Sequence, residues 1–227
     1  MLTAIPLALP LLRSPQLSSI NSTEPIQQSV IAETRTLQAL RVKYAPGAAD
    51  PPGPHVYDVI IVPIEDGLAV EVEGRRVPST TPGAPVLISR GAPHRIWNPS
   101  SHPVAFVSAH VMNDAAPLPE RGPAGTPPRL ETTGATLIHS ISDKYVRVDT
   151  YRFEWGGKME AAAGDVLDSL FVLAARADVA RRIGKDDVEG ISPAGEAFLI
   201  GAGVPFTLRN RGEQPFEILR IGVVGSR

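Results

Sequence analysis

Histidine is the residue type in this sequence best suited to chemistry. The chain has 227 residues, five histidines and no cysteine, so disulfides, thiolate metal sites and thiol nucleophiles are excluded. An imidazole can hold a divalent metal ion or transfer a proton near neutral pH. The sequence contains no Gly-x-Ser-x-Gly elbow, no Walker phosphate loop and no His-Glu-x-x-His motif. Any chemistry therefore depends on which histidines the fold brings together.

The charge and hydropathy patterns exclude several kinds of partner. The chain has 22 basic and 24 acidic residues, and no block of like charge. Nucleic-acid binding needs clustered lysine and arginine, so we expect no nucleic-acid partner. The N-terminal stretch is apolar, but Pro6 and Pro10 interrupt it and no basic residue precedes Arg13. This pattern fits neither a secretory signal nor a membrane span, and we expect a cytoplasmic protein with no membrane partner.

Short apolar stretches between turn residues predict an all-β protein. The 23 prolines and 20 glycines are spread along the chain and separate these stretches, as in β-sandwiches and barrels. β-Branched residues and partial alternation favour a pleated, half-buried surface. The predicted strand segments are Thr36–Tyr44, Val56–Ile64, Leu68–Glu73, Tyr145–Trp155 and Phe216–Val224.

A proline-rich stretch divides the chain nearly in half. Residues 113–129 contain five prolines and almost no large apolar residue, which predicts an extended linker. We therefore expect an N-terminal arm over residues 1–34, a first domain over 35–112, a linker over 113–130 and a second domain over 131–227. The arm has two alternatives: a poorly ordered tail, or a strand that packs on a neighbouring barrel.

An internal repeat relates the two halves. The segment Gly83–Asn98 aligns with Gly195–Asn210, and further upstream Asp58 aligns with Asp168. Residues 165–182 have helix-friendly composition, but the repeat aligns residues 168–182 with predicted strands of the first half, so we predict strands there. The identical pairs of the main alignment include Gly83 and Gly195, Gly91 and Gly203, Pro93 and Pro205, and Asn98 and Asn210.

The repeated segment resembles the second conserved motif of the cupin superfamily. In the first half Gly83, Gly91, His94 and Asn98 fit every spacing of that motif, whereas in the second half Phe206 stands in place of the histidine. The resemblance covers roughly residues 35–110 and 143–225. It implies two tandem jelly-roll β-barrels, which close most of their strand edges and leave an interior cavity. Since cupins often dimerise through barrel faces, and two barrels in one chain can already meet that need, the resemblance also implies a monomer or homodimer.

The resemblance also implies a candidate metal site in the first barrel. In cupins the motif histidine is usually a metal ligand, which makes His94 the candidate catalytic residue. The first cupin motif, His-x-His followed by Glu, is incomplete here: only His55 is present, and Asp58 would stand for the glutamate. His55, Asp58 and His94 would form a two-histidine, one-carboxylate set suited to divalent iron, manganese, zinc or nickel. No metal is expected in the second barrel, because Phe206 fills the histidine position.

Each of these residues has an alternative role. His94 could be a pocket histidine without a metal, and His55 could be a surface loop residue. Positions 55 and 58 have opposite parity on a strand, so both face inward only if a loop or bulge intervenes. The recurrence of Asp58 as Asp168 favours a structural role for this aspartate. His110 lies on the last strand of the first barrel. Its side chain either faces the cavity or belongs to the core or the sheet edge.

Three functions are compatible with this pattern. One is a small-molecule enzyme, a metal-assisted dioxygenase, isomerase or cyclase. The second is a non-catalytic bicupin that binds a small ligand and has lost its metal. The third is metal-free acid–base catalysis with His94 as the base and a nearby carboxylate to orient it.

Overall fold

The computed structural model describes residues 24–78, 80–112, 115–116, 130–162 and 167–225, and their regular structure is entirely β. The all-β prediction is thus confirmed. The strands are β1 Ile26–Glu33, β2 Leu37–Tyr44, β3 Gly53–Pro54, β4 Asp58–Pro63, β5 Ala69–Val72, β6 Arg75–Arg76, β7 Val86–Ile88, β8 Pro93–Trp97, β9 Val104–Val111, β10 Ala115–Ala116, β11 Glu131–Ser142, β12 Val146–Ala161, β13 Asp168–Leu173, β14 Ala177–Ile183, β15 Asp186–Ser192, β16 Ala197–Ile200, β17 Phe206–Asn210 and β18 Phe216–Gly225.

Two sheets enclose the core of the first half. In the described residues a five-stranded sheet has the order β1-β2-β9-β4-β7, and a four-stranded sheet has the order β3-β8-β5-β6. All the long strand pairs are antiparallel, as expected for a jelly roll. Apolar side chains from both sheets meet between them; the largest fully buried ones are Tyr44, Ile61, Ile88 and Phe106.

One continuous sheet forms the second half. In the part of the chain that the structure describes, its main path is β15-β14-β17-β12-β18-β13-β16, with β10 paired to β18 and β11 to β12. Residues 168–173 and 177–183 are strands, so the strand prediction for this helix-like segment is confirmed. Aromatic rings fill the core, with the Phe171 ring centre 5.5 Å from those of both Phe198 and Phe206.

The two halves pack on each other through the outer faces of their sheets. The buried residues of this contact include Ile60 and Val62 of β4, Val148 of β12, and Leu219 and Ile221 of β18. Successive strand residues point to opposite faces, so the neighbours of these residues point into the two cores instead. The apolar contact removes a large hydrophobic surface from water and fixes the halves against each other.

Two segments that carried sequence predictions are described only in part. Residues 1–23 of the predicted arm lie outside the described residues; the rest includes β1, which pairs with β2 and contacts β16 of the second half. The predicted linker likewise lies outside them, apart from β10 and Leu130. No helix in the described ranges is long and apolar enough to cross a membrane.

The motif glycines Gly83 and Gly195 lie at equivalent points of the contact between the halves. Both have positive φ, 79° and 71°. A Cβ at Gly83 would lie 2.6 Å from the Cβ of Ala174, and a Cβ at Gly195 would overlap the side chain of Ile64. Glycine is therefore needed at both points for the backbone conformation and for the close approach.

We predict that Gly83→Ala destabilises the protein more than Gly91→Ala does. Both glycines have φ of 79°, but an added Cβ at Gly91 has no neighbour within 4 Å. Gly91→Ala should cost about 1–2 kcal/mol of unfolding free energy for the left-handed conformation. Gly83→Ala should cost at least about 1 kcal/mol more from overpacking. Urea unfolding measures both, and equal losses would contradict the tight contact between the halves.

Candidate functional site

His94 points into the core of the first half. It lies on β8, which pairs with β3 on one side and with β5 on the other. Along β8 the burial alternates: His94 and Ile96 are buried, whereas Pro93 and Arg95 are exposed. Ile96 belongs to the apolar core, so His94 faces the same interior by strand alternation.

The backbone determines which nitrogen of His94 carries the proton. Nδ1 lies 3.0 Å from the carbonyl oxygen of Ala92. A carbonyl oxygen only accepts hydrogen bonds, so Nδ1 of the neutral ring is the donor and Nε2 keeps its lone pair. That lone pair is the group that would bind a metal ion or accept a proton.

His55 approaches His94 from the bend between β3 and β4. The two ring centres are 4.5 Å apart, with 40° between the ring planes. The carbonyl oxygen of His55 accepts a hydrogen bond from the backbone N–H of Gly91 (2.8 Å), which ties the bend to the turn before β8. Burial lowers the pKa of His55, the nearby His94 lowers it further, and Asp50 opposes both effects.

Tyr57 and His110 extend this cluster. The ring of Tyr57 stacks on His55 with centres 5.2 Å apart, and on His110 with centres 4.8 Å apart. His110 lies on β9, and its Nε2 is 2.9 Å from the hydroxyl oxygen of Ser108, two residues earlier. Burial lowers the pKa of His110 to about 4, with a smaller contribution from His55. We name these four residues, His55, Tyr57, His94 and His110, the imidazole cluster.

Asp58 is directed away from the imidazole cluster. Its side chain is 1% exposed and accepts hydrogen bonds from the backbone N–H (2.7 Å), Nε (3.1 Å) and Nη2 (2.6 Å) of Arg90. The Arg90 guanidinium stacks on the ring of Tyr145 in the second half, 3.7 Å from its centre. The hydrogen bonds and charge of Asp58 raise the pKa of Arg90. Both oxygens of Asp58 are thus occupied by Arg90.

The repeat shows the same arrangement at Asp168. This carboxylate accepts hydrogen bonds from the backbone N–H of Ala202 (2.9 Å) and from the hydroxyl of Thr36 in the first half (3.0 Å). Ala202 aligns with Arg90, so both aspartates hold the turn before the second motif glycine. Each aspartate also links the two halves. Asp58 binds Arg90, which contacts Tyr145 of the second half, and Asp168 binds Thr36, which belongs to the first half.

Two of the three predicted ligands lie at a spacing suited to one ion. With metal–nitrogen bonds of about 2.1 Å, two imidazoles on one ion have ring centres about 4.6 Å apart at a ligand angle of about 90° and about 5.3 Å apart at a tetrahedral angle. The His55–His94 spacing of 4.5 Å is close to the first of these values, whereas the His55–His110 spacing of 6.5 Å exceeds both. Across the described ranges, no three His, Cys, Asp or Glu side chains are grouped closely enough to hold a metal ion. The arrangement therefore fits a pair of imidazole ligands.

A cleft of about 450 Å³ borders β8 at His94. This volume lies within the range of about 300–1,000 Å³ that is typical of small-molecule sites. Its lining carries both signs of charge, and includes Asp50, Gly53, Glu71, His94 and Arg95.

The equivalent position of the second half has no imidazole. Phe206 replaces His94 and is buried against Phe171 in an edge-on contact of 63°. Asp165, which aligns with His55, lies outside the described residues. Of the other histidines, His102 and His139 are exposed.

Sequence reasoning missed the contribution of Tyr57 and Ser108. Alternation would have signalled both, because Tyr57 is two residues from His55 and Ser108 is two residues from His110. The contact of His110 with Tyr57 depends instead on the packing of the β3–β4 bend over β9, which no local pattern encodes. Trp97 contacts the exposed Arg95 and Arg76, with guanidinium-to-ring distances of 5.2 and 5.9 Å.

The chain shares its fold with solved structures of low sequence identity. Salicylate 1,2-dioxygenase from Pseudoaminobacter salicylatoxidans, as adducts with gentisate, matches with a TM-score of 0.64 at 15% identity, over 83% of this chain and 68% of that chain. AerE from Microcystis aeruginosa matches with a TM-score of 0.67 at 12% identity, over 90% and 95%. A mutant of the dioxygenase in complex with gentisate gives a TM-score of 0.68 at 14% identity, over 92% and 77%.

These likenesses show a shared fold and no more. At 12–15% identity they carry no residue roles to this chain. No family model and no curated protein matches the sequence.

We predict that His110 makes the stability depend on pH. Its pKa is about 4 in the folded protein and about 6.5 when unfolded, so the unfolded chain binds more protons between these values. Stability is then full above pH 6.5 and falls as the pH falls, by up to about 2 kcal/mol at pH 5. His110→Gln should flatten the pH dependence of urea unfolding between pH 7 and 5. His102→Gln, at an exposed histidine, is the control; equal slopes in all three proteins would refute the assignment.

Proposed function

We propose that the first half of the protein binds a divalent transition metal ion between His55 and His94 and acts with it on a small organic molecule, as a metal-dependent dioxygenase. The observation that supports this most strongly is the distance of 4.5 Å between the ring centres of the two imidazoles. The fold likeness to salicylate 1,2-dioxygenase, which was solved as adducts with gentisate, supports the same class of reaction.

The chemistry of the donor set favours particular metals. Neutral imidazole nitrogens suit iron, zinc and nickel, and manganese is compatible when oxygen ligands from water or substrate complete the shell. Ligands must be unprotonated, and burial in the imidazole cluster keeps His55 neutral near pH 7. Bound there, the metal would polarise a substrate oxygen or bind dioxygen.

The protein residues around the pair have distinct roles in this proposal. The Ala92 carbonyl orients His94 and leaves Nε2 available. The Asp58–Arg90 pair holds the turn from which β8 and His94 start, and it is not a ligand. The cleft beside β8 is lined in part by His94, and Arg95 and Glu71 in the same lining offer a small molecule one cationic and one anionic contact.

A second candidate function is metal-free acid–base catalysis by His94. It is favoured by the engagement of Asp58 with Arg90, which removes the predicted carboxylate ligand. In this case Nε2 of His94 would accept a proton from a bound substrate. The two candidates differ in whether metal is needed.

We predict that the wild-type protein, loaded anaerobically with Fe²⁺ or with Zn²⁺ and then desalted, retains roughly one ion per chain, since two imidazoles bind it. His94→Ala and His55→Ala should each reduce the retained metal to background. His102→Ala should retain the wild-type amount, because His102 is an exposed turn residue. Elemental analysis by mass spectrometry measures all four proteins.

The same four proteins decide between the candidates. Equal metal content in wild type and His94→Ala would overturn the metal site. Turnover of a small phenolic acid that survives chelation but is lost in His94→Ala would establish the acid–base function instead.

We further predict that Asp58→Asn lowers stability without removing the metal. The buried carboxylate is paired with Arg90, and loss of one partner of such a pair costs about 3 kcal/mol or more. Urea unfolding should show this loss, while the metal content of the folded fraction stays at the wild-type level. Glu71→Gln, at the cleft edge, serves as a control for the removal of a carboxylate. Loss of metal in Asp58→Asn would return Asp58 to the ligand set.

A further inference from the structure

Strand β11 forms one edge of the sheet in the second half. Within the part of the chain that the structure describes, β12 is the only strand that pairs with it. All of its residues except Ala135 and Ile141 are exposed. The outer side of such a strand presents a row of backbone N–H and C=O groups, which can pair with a further strand.

The sequence of β11 lacks the residues that usually protect a sheet edge. Natural proteins place charged side chains or prolines there. Residues 132–142 contain no lysine, arginine, aspartate, glutamate or proline. Strand β15, which ends the main path of the same sheet, carries Asp186, Asp187 and Glu189. One edge of this sheet is therefore protected by charge and the other is not.

Apolar side chains from both faces of the sheet reach the β11 edge. Leu137 is 44% exposed and lies opposite Tyr151, which belongs to the core of the second half. Ile141 packs at the margin of the contact between the two halves. Ile138 lies between them and is 48% exposed. A strand added here would cover apolar surface on both faces, in addition to the backbone groups.

The part of β11 best suited to pairing is its C-terminal third. The register with β12 shifts between Thr133 and Ala135 and again between Leu137 and His139. Such irregularities bend a strand and weaken the pairing of its free side. From His139 to Ser142 the pairing with β12 is regular. A partner strand would therefore be centred on residues 139–142, with Leu137 and Ile138 beside it.

We propose that β11 is the interface of a homodimer, in which the β11 strands of two copies pair antiparallel about a twofold axis perpendicular to the sheet. Such an axis continues each face of the sheet into the same face of the second copy, so apolar side chains meet apolar side chains. Because residues 132–142 carry no formal charge, this pairing opposes no like charges within the strand. The dimer does not depend on the proposed metal site.

The test is sedimentation equilibrium of the full-length protein over a range of concentrations, without added metal. Wild type should sediment with twice the mass of one chain. Ile138→Glu gives β11 the kind of acidic protection that β15 already has, and should raise the dimer dissociation constant at least about tenfold. Ile191→Glu is the matched control, because Ile191 is 63% exposed on β15. It should leave the dissociation constant unchanged.

His139→Glu provides a second variant at an exposed residue of the same edge, and should weaken the dimer in the same way. Circular dichroism establishes that each variant is folded, and His139→Glu decides if Ile138→Glu is not. Hydrogen exchange of wild type reports on the backbone. Amides of β11 should exchange more slowly above the dissociation constant than below it, whereas those of β15 should exchange equally fast at both concentrations.

Four results would overturn the proposal. The first is a wild-type protein that stays monomeric at every concentration. The second is a dimer that neither glutamate in β11 weakens, and the third is equal weakening by Ile191→Glu. The fourth is a dimer in which exchange of the β11 amides is unchanged, since the copies would then meet through another surface. None of these results bears on metal retention by His55 and His94, so the two proposals fail separately.

Discussion

The apolar contact between the two halves is the constraint on which the rest of the structure depends. On one face of β4 and β9, the side chains of Ile60, Val62 and Val107 point into this contact. Because side chains alternate, the other face of the same strands must form the interior of the first half. His110 and Ser108 face that interior, whereas Asp58 faces the contact. The directions of Asp58 and His110 thus follow from how the halves pack.

The same framework supports two interiors of different character. Asn98 and Asn210 are both buried and hold equivalent turns: Asn98 donates to the carbonyl oxygens of Tyr44 and His102, and Asn210 donates to those of Glu154 and Gln214. The interiors differ at one motif position. His94 keeps a polar nitrogen in the first half, and Phe206 completes an aromatic core in the second. Turn residues shared by the two halves therefore fix the architecture, and this motif position carries an imidazole in one half and a phenyl ring in the other.

Sequence reasoning predicted most of the architecture, because glycine, proline and asparagine act locally and the repeat was visible. The repeat also corrected the local helix signal at residues 168–182. The site was less predictable. A structural role for Asp58 was indicated by two features: His55 and Asp58 have opposite parity on a strand, and Asp58 recurs as Asp168. The partner of Asp58, Arg90, and the stacking of Arg90 on Tyr145 depend instead on long-range packing. The contact of Tyr57 with His110 likewise requires knowledge of which strands adjoin.

Anomalous diffraction would locate a metal ion shared by His55 and His94. Crystals grown with Zn²⁺ would be measured on both sides of the zinc absorption edge. We expect an anomalous peak about 2.1 Å from Nε2 of His94 and from a ring nitrogen of His55. A map with no peak between these two rings, or with peaks at the exposed His102 and His139 alone, would contradict it.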